Sequence, residues 1–249
     1  IGCIPLGREM HCHLEVGSTN DLAMDAARSG APHGAVFVSE HQTKGRGRLA
    51  RSWFSPPGAG LWFSVVLRLD LELSKSWMMT LGAASAVACA VESTCGIAPD
   101  LKWPNDLRCQ RRKVGGILAE AVPSEERLEV AVLGIGINVN QDKEEFPANL
   151  QDYAISLKQA TGHTVSRSEL LASILVELNS TYSSLDPVRV REAWLARTRM
   201  LGSRVRVVVD NRTLVGIAED LTLGGSLVVR DSVGERHSIN AGEVEQLRD

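Results

Sequence analysis

Val114-Gly-Gly-Ile-Leu-Ala-Glu-Ala-Val122 and Leu128-Glu-Val-Ala-Val-Leu-Gly-Ile-Gly-Ile-Asn-Val139 are two aliphatic, β-branched runs separated by Pro123-Ser-Glu-Glu-Arg127. Apolar runs of this length around a turn of Pro, Ser and charged residues predict a β-hairpin. Upstream, Val36-Phe-Val-Ser39 and Leu61-Trp-Phe-Ser-Val-Val-Leu67 have the same strand composition. A helix is expected between Val16 and Gly30, with Ser18, Thr19 and Asn20 as N-caps and Leu22, Ala26 and Ala27 at helical spacing. Lys75 to Thr94 reads as a long helix ending before Gly96, and its Ala-rich stretch Leu81–Val91 suits burial.

Downstream, Ser166 and Glu169 form an S-x-x-E capping signature ahead of an apolar face of Leu170, Leu171, Ile174, Leu175 and Leu178. Asp186-Pro187 opens a further helix, expected to run to about Arg199. From Ser203 the texture changes to short strands at turn-length spacing, with Gly224-Gly225 and Gly234 between them. That pattern predicts a small β-barrel or sandwich after a boundary near Gly202, giving domains 1–201 and 202–249.

The chain has 249 residues, 44% hydrophobic and 23% charged, which excludes disordered, collagenous and disulfide-scaffold classes. Its net charge of −3 is opposite in sign to that of a general nucleic-acid binder. No stretch reads as the run of about 20 apolar residues that crosses a bilayer, and Ile1-Gly-Cys-Ile-Pro5 lacks the regions of a secretory signal. An opening Ile1 suggests a native N-terminus that is missing or processed. Cys3, Cys12, Cys89, Cys95 and Cys109 form no C-x-x-C pair, so free thiols in a reducing cytoplasm are expected. The six histidines show no metal-ligand spacing beyond His11/His13, and no metal site is expected.

Two segments break the acidity. Lys44-Gly-Arg-Gly-Arg-Leu-Ala-Arg51 alternates glycine with arginine, so its backbone can approach a ligand while guanidiniums bind a phosphate or carboxylate with paired donors. It is no Walker A loop, and no G-x-G-x-x-G opens a helix after a strand. Arg108-Cys-Gln-Arg-Arg-Lys113 reads equally well as a site or a solvated face. Lys102-Trp-Pro-Asn-Asp106 has turn chemistry, and Gly134-Ile-Gly-Ile-Asn-Val-Asn140 ends a strand where a ligand could approach the backbone. Trp62, Phe63, Trp77 and Trp194 read as core.

The order of these motifs, Ser18-Thr-Asn-Asp21, Gln42, Gly45-Arg-Gly-Arg48 with Trp53, Lys102-Trp-Pro-Asn-Asp106, Lys113-Val-Gly-Gly-Ile-Leu118 and Gly134-Ile-Gly-Ile-Asn138, resembles that of the bacterial biotin protein ligases. The resemblance is specific over about residues 10 to 140 and continues more loosely to Ala241-Gly-Glu-Val-Glu-Gln-Leu-Arg248. It implies an α+β fold: a class II aminoacyl-tRNA-synthetase-like mixed sheet with helices, plus a small SH3-like β-barrel. It also implies a two-step reaction, in which biotin and MgATP give biotinyl-5′-AMP and a lysine of a biotin carboxyl carrier protein then takes the biotinyl group.

By that resemblance Ser18, Thr19, Asn20 and Gln42 bind biotin, with Gly45, Arg46, Gly47, Arg48 and Lys113 around it and Gly115 and Gly116 leaving room for its tail. Arg48, Arg51, Trp53, Asn105, Lys113 and Asn138 take the nucleotide, Trp53 by stacking on adenine. Arg48, Arg51 and Lys113 are the expected catalytic cations, and Asp106 orients the site or the incoming lysine. Structural alternatives stand beside these roles: Ser18 and Thr19 as helix caps, Trp53 as core, Lys102–Asp106 as a turn. A lipoate ligase is the rival within the fold, and a biotin-operon repressor the rival outside it. With 17 residues ahead of Ser18, no specific DNA binding is expected of this chain. A homodimer stays open.

Overall fold

The computed structural model describes residues 5–124, 127–209 and 212–247. The expected hairpin is present, inside the large sheet. β6 (Arg112–Ser124) and β7 (Arg127–Asn138) pair antiparallel from Gly115↔Ile137 to Ser124↔Arg127. Glu125 and Glu126 of the expected turn lie outside the described residues, as does Cys3.

β1 (Met10–Val16), β2 (Val36–Gln42), β3 (Gly60–Glu72), β4 (Asp100–Lys102) and β5 (Asp106–Cys109) complete a seven-stranded sheet in the order β1-β2-β3-β7-β6-β5-β4. β1 and β2 are parallel and every other pair is antiparallel, so the sheet is mixed. β1, β4 and β5 were not legible in the sequence, because each is short or only partly buried.

Strand alternation divides the layers. Val65, Leu67, Ala131, Leu133 and Ile135 face the main core, with α2 (Trp77–Cys95), α4 (Arg167–Ser183) and α5 (Pro187–Leu195). Val66 and Val132 face the other way, under α1 (Thr19–Arg28). The face of α1 differs from the expected one: Thr19, Asn20, Ala23 and Ala27 are buried, whereas Leu22 and Ala26 pack only at its margin. Ser18 stands at the N-cap with extended backbone, yet its side chain closes no cap bond.

α2 corrects the membrane reading. By length and mean hydropathy, Leu73–Cys95 is long and apolar enough to cross a bilayer, but 72% of the 18-residue apolar window within it is buried inside the protein. Gly96, left-handed at φ +69°, ends the helix as expected. Ser166 caps α4 by accepting from the Glu169 N–H, and Asp186 caps α5 by accepting from the Arg189 N–H at 2.9 Å. α5 stops at Leu195, four residues short of the expectation, because the next segment turns to pair with β4: the Leu101 N–H donates to the Arg197 carbonyl at 3.0 Å.

The last strands form their own antiparallel sheet. β8 (Arg204–Val209), β9 (Arg212–Leu221), β10 (Leu227–Arg230), β11 (Arg236–Ile239) and β12 (Glu243–Gln246) stand in the order β11-β10-β9-β8-β12. This sheet docks on the main body through the shared core of Val205, Val207 and Leu227. Buried Trp103 donates its indole N–H to the Gly225 carbonyl at 3.1 Å, tying the Lys102–Asp106 turn to it. Trp62, Phe63 and Trp194 are buried as expected, while Trp77 is only half-buried.

Candidate active site

One cavity of about 500 Å³ opens on the α1 face of the large sheet. Ser18, Thr19, Asn20, Gln42, Arg46, Gly47, Arg48, Arg51, Trp53, Asn105, Asp106, Lys113, Gly116 and Asn138 all line it. The sequence separations are large, and the fold removes them. Gly134 and Gly136 project from β7 on the same face as Val132, opposite Leu118 and Gly116 of β6. A Cβ at Gly134 would overlap the Asn20 side-chain amide, and one at Gly136 would lie 2.7 Å from Trp53 Nε1. The glycines of this strand end let α1 and the arginine loop approach the sheet.

The end of the cavity under α1 is lined by the uncharged Ser18, Thr19, Asn20 and Gln42, with the Arg46–Glu120 ion pair at its edge. The Thr19 N–H donates to Gln42 Oε1 at 2.8 Å, and Gln42 Nε2 donates to Ser55 Oγ at 3.0 Å. Ser64 Oγ lies 2.6 Å from Asn20 Oδ1 and 2.8 Å from Thr19 Oγ1, and Asn20 Nδ2 donates to Glu120 Oε2 at 2.7 Å. These bonds fix buried amides and hydroxyls in place, which suits a neutral polar ring better than a charged one. Gly45 does not line the cavity. Its missing Cβ would sit 2.6 Å from the Trp53 carbonyl and 3.2 Å from Gln42 Nε2, so it supports this wall from behind. Gly115 is not in the cavity either: strand alternation turns it towards the Gly136 carbonyl and Leu107, leaving Gly116 alone on the open side.

The other end is cationic. Six basic and three acidic side chains line the cavity of a chain whose net charge is −3. Lys113 Nζ lies 2.6 Å from Asp106 Oδ1 and 5.1 Å from the Trp53 ring centre. Trp53 is half-buried, edge-on to Trp62 at 6.3 Å, and its indole N–H has no partner among the described residues. Asn138 commits its amide N–H groups to the Ile155 carbonyl at 3.3 Å and the Lys113 carbonyl at 3.5 Å, so it anchors the Lys113 backbone. Asn105 Nδ2 donates to the Ile117 carbonyl at 2.8 Å, and its Oδ1 accepts from Arg48 at 3.5 Å.

The arginine loop runs along both ends of the cavity. Arg46 pairs with Asp21 and with Glu120 at 3.3 Å, and Arg51 pairs with Glu243 of β12. Arg48 is the most desolvated of the three: burial pushes its pKa down, against the pull of Asp106 and Glu243. It stays charged at any biological pH. Leu49 and Ala50 both hold φ near +56°, a left-handed conformation that costs non-glycine residues about 1–2 kcal/mol each.

Sequence reading gave no role to Lys102 and missed Glu120, Ser64 and the contribution of Arg206, Glu243 and Glu245 from the C-terminal sheet. Glu120 carried a signal, being a lone carboxylate between alanines in an apolar strand. The second basic segment resolves into parts. Arg108 pairs with Asp100 at 2.5 Å, Gln110 and Arg111 take the positive φ angles of the β5–β6 turn, and Lys113 alone reaches the cavity. His11 stacks on Phe37, 4.6 Å between ring centres, and pairs with Glu9. The described group that could hold a metal, Asp231 and Glu235 of the β10–β11 turn with His237 of β11, is not part of the cavity lining.

A family model described as the biotin/lipoate A/B protein ligase family matches residues 15–138, and one described as the biotin protein ligase C-terminal domain matches residues 200–246. The bifunctional ligase/repressor BirA of Bacillus subtilis is 36% identical over 234 residues, covering 92% of this chain and 71% of that protein. The biotin–[acetyl-CoA-carboxylase] ligase of Mycobacterium tuberculosis is 33% identical over 250 residues, covering 97% and 90%. The biotin protein ligase of Aquifex aeolicus, solved in complex with biotin and ATP, superposes with a TM-score of 0.82 at 29% identity, covering 97% of this chain and 100% of that one.

Proposed function

The chain belongs to the biotin protein ligase family, and from that premise we propose how its cavity works: it activates biotin with MgATP and passes the biotinyl group to a carrier lysine. In the first step a biotin carboxylate oxygen bonds to the α-phosphorus of ATP. The bond from that phosphorus to the α–β bridging oxygen breaks, and pyrophosphate leaves. In the second step the ε-amine of the carrier lysine forms a C–N bond to the acyl carbon, and AMP departs with the electrons of the broken C–O bond.

The observation that carries this reading is the position of Lys113. Its ammonium stands in the same cavity as a neutral, pre-bonded amide wall and an arginine loop. Two anions must meet in the first step, and fixed cations aimed at their oxygens lower that barrier. Lys113 serves the carboxylate and the α-phosphate; Arg48 and Arg51 serve the phosphates that leave. Thr19, Asn20 and Gln42 read the ureido ring, with Ser18 beside them. Trp53 offers adenine an indole face, and Asp106 faces the incoming lysine.

In this reading residues 1–201 are a class II aminoacyl-tRNA-synthetase-like catalytic domain and 202–249 an SH3-like barrel. The macromolecular substrate is the biotin carboxyl carrier protein of acetyl-CoA carboxylase or a related carboxylase, met in the cytoplasm. No DNA or membrane partner is assigned to this chain, and a homodimer is compatible with the site. The test is pyrophosphate–ATP exchange with radiolabelled pyrophosphate, expected only when biotin is added. Exchange supported by lipoate and not by biotin would overturn the assignment.

A further inference from the structure

Lys102 has no part in the reaction as just described, yet its surroundings are those of a working group. It ends β4, and the β4–β5 register sets it directly opposite Asp106. Directly opposed residues of an antiparallel pair project on one face, with Cβ atoms about 4.5–5.5 Å apart. Lys102 lines the cavity, but among the described residues its ammonium closes no ion pair or hydrogen bond. The carboxylate opposite is engaged elsewhere, 2.6 Å from Lys113 Nζ. Asp106 and Arg108 of β5, Lys113 of β6 and Glu245 of β12 face Lys102. Burial pushes its pKa down, the two acids opposing and the two cations adding. A desolvated ammonium without a partner is costly, which argues for a state in which it has one.

Ligand binding creates that state. A lysine ammonium that turns to a carboxylate and a phosphate oxygen has to loosen its hold on Asp106. We propose that Lys102 is a positioning residue: it takes over Asp106 when the ligand draws Lys113 away, and it holds that carboxylate in place for the acceptor lysine. The proposal rests on the roles given above to Lys113 and Asp106. It divides the two cations between the half-reactions, Lys113 serving adenylation and Lys102 serving transfer. It also sets their order, since Asp106 is released only after the ligand has engaged Lys113.

The experiment follows the side-chain 15N signal of Lys102 through a pH titration, in the free enzyme and with a sulfamide analogue of biotinyl-AMP bound. The Lys102 midpoint is expected to rise when the analogue binds, and Asp106→Asn is expected to remove the rise. In kinetics, Lys102→Gln should slow transfer from pre-made biotinyl-AMP about 10- to 100-fold, the worth of one hydrogen bond to a charged group. Biotin-dependent pyrophosphate release should stay near the parent rate, and Lys102→Arg should recover most of the transfer. An unmoved midpoint with the analogue bound overturns the exchange alone. So does a rise that survives Asp106→Asn and disappears in Glu245→Gln. Equal losses in both half-reactions without rescue by Arg would reduce Lys102 to a structural role. Failure of the analogue to bind would overturn the reading of the site itself.

Discussion

Truncating Lys113 to alanine separates what its charge does for folding from what it does for chemistry. The side chain is 34% exposed and its partner Asp106 is 21% exposed, so the pair is only partly desolvated. Partly exposed ion pairs contribute about 0.2–1 kcal/mol, and a cation near an indole, as here at 5.1 Å, adds about 0.5–1 kcal/mol at an exposed site. A loss of about 1 kcal/mol shifts the melting temperature of a domain this size by only about 2–4 °C. The backbone hardly depends on the side chain, because the Lys113 N–H donates to the Tyr153 carbonyl at 2.7 Å and its carbonyl accepts from Ile155 at 2.9 Å. Catalysis is another matter. Removing one donor aimed at developing charge costs about 2.7–4 kcal/mol of barrier, or roughly 10²–10³ in rate. Two assays on the same purified variant decide it: biotin-dependent pyrophosphate release, and carrier biotinylation from synthetic biotinyl-AMP. The first should fall by the full factor and the second by much less, because no pyrophosphate leaves in that step. Equal losses would mean that Lys113 merely binds the adenylate. No loss in either would return it to a solvated face.

Arg48→Ala should speed the escape of biotinyl-AMP, since the strained turn at Leu49 and Ala50 is expected to reorder over the ligand; hydrogen exchange across residues 43–52 that is unchanged by ligand would refute this. Gly134→Ala should cost about 1–3 kcal/mol through overpacking against Asn20 and should weaken biotin in a binding titration while sparing ATP. Gly136→Ala, which crowds Trp53, should show the reverse preference. Trp103→Phe strands the Gly225 carbonyl at a cost of about 1–3 kcal/mol, read as a lower melting temperature with faster amide exchange around Thr222–Ser226.

Legibility followed locality. The hairpin of β6 and β7 was plain because both strands lie inside the sheet order and carry long apolar runs, β7 being mostly buried. The helix caps Ser166 and Asp186 were plain because a cap is a matter of a few adjacent residues. β1 was not, because Met10–Val16 is an edge strand with its side chains largely exposed, and alternation is weak there. α5 ended early for a tertiary reason, the pairing of Arg197 with Leu101, which no window along the chain contains.

The site divides along the same line, and the division explains why the cavity's cations were easier to find than the carboxylates that hold them. Arg46, Arg48 and Arg51 stand in a segment whose glycines announce a close ligand, and Lys113 sits beside Gly115-Gly116. Their controlling partners come from distant segments: Arg46 is held by Asp21 and Glu120, Arg51 by Glu243, and Lys113 by Asp106. Each arrangement joins a cation to a carboxylate that a bound anion would have to displace. Pairing keeps Arg46, Arg51 and Lys113 oriented and lowers the cost of their desolvation. Anionic ligand oxygens then compete for Arg51 and Lys113 with Glu243 and Asp106. Such competition would couple the C-terminal sheet to ligand binding, because Glu243 belongs to β12 and stands at the cavity wall with Arg206 and Glu245. The second sheet therefore forms part of the electrostatics of the site, and substitutions at Glu243 are expected to alter nucleotide affinity through Arg51 without touching the biotin wall.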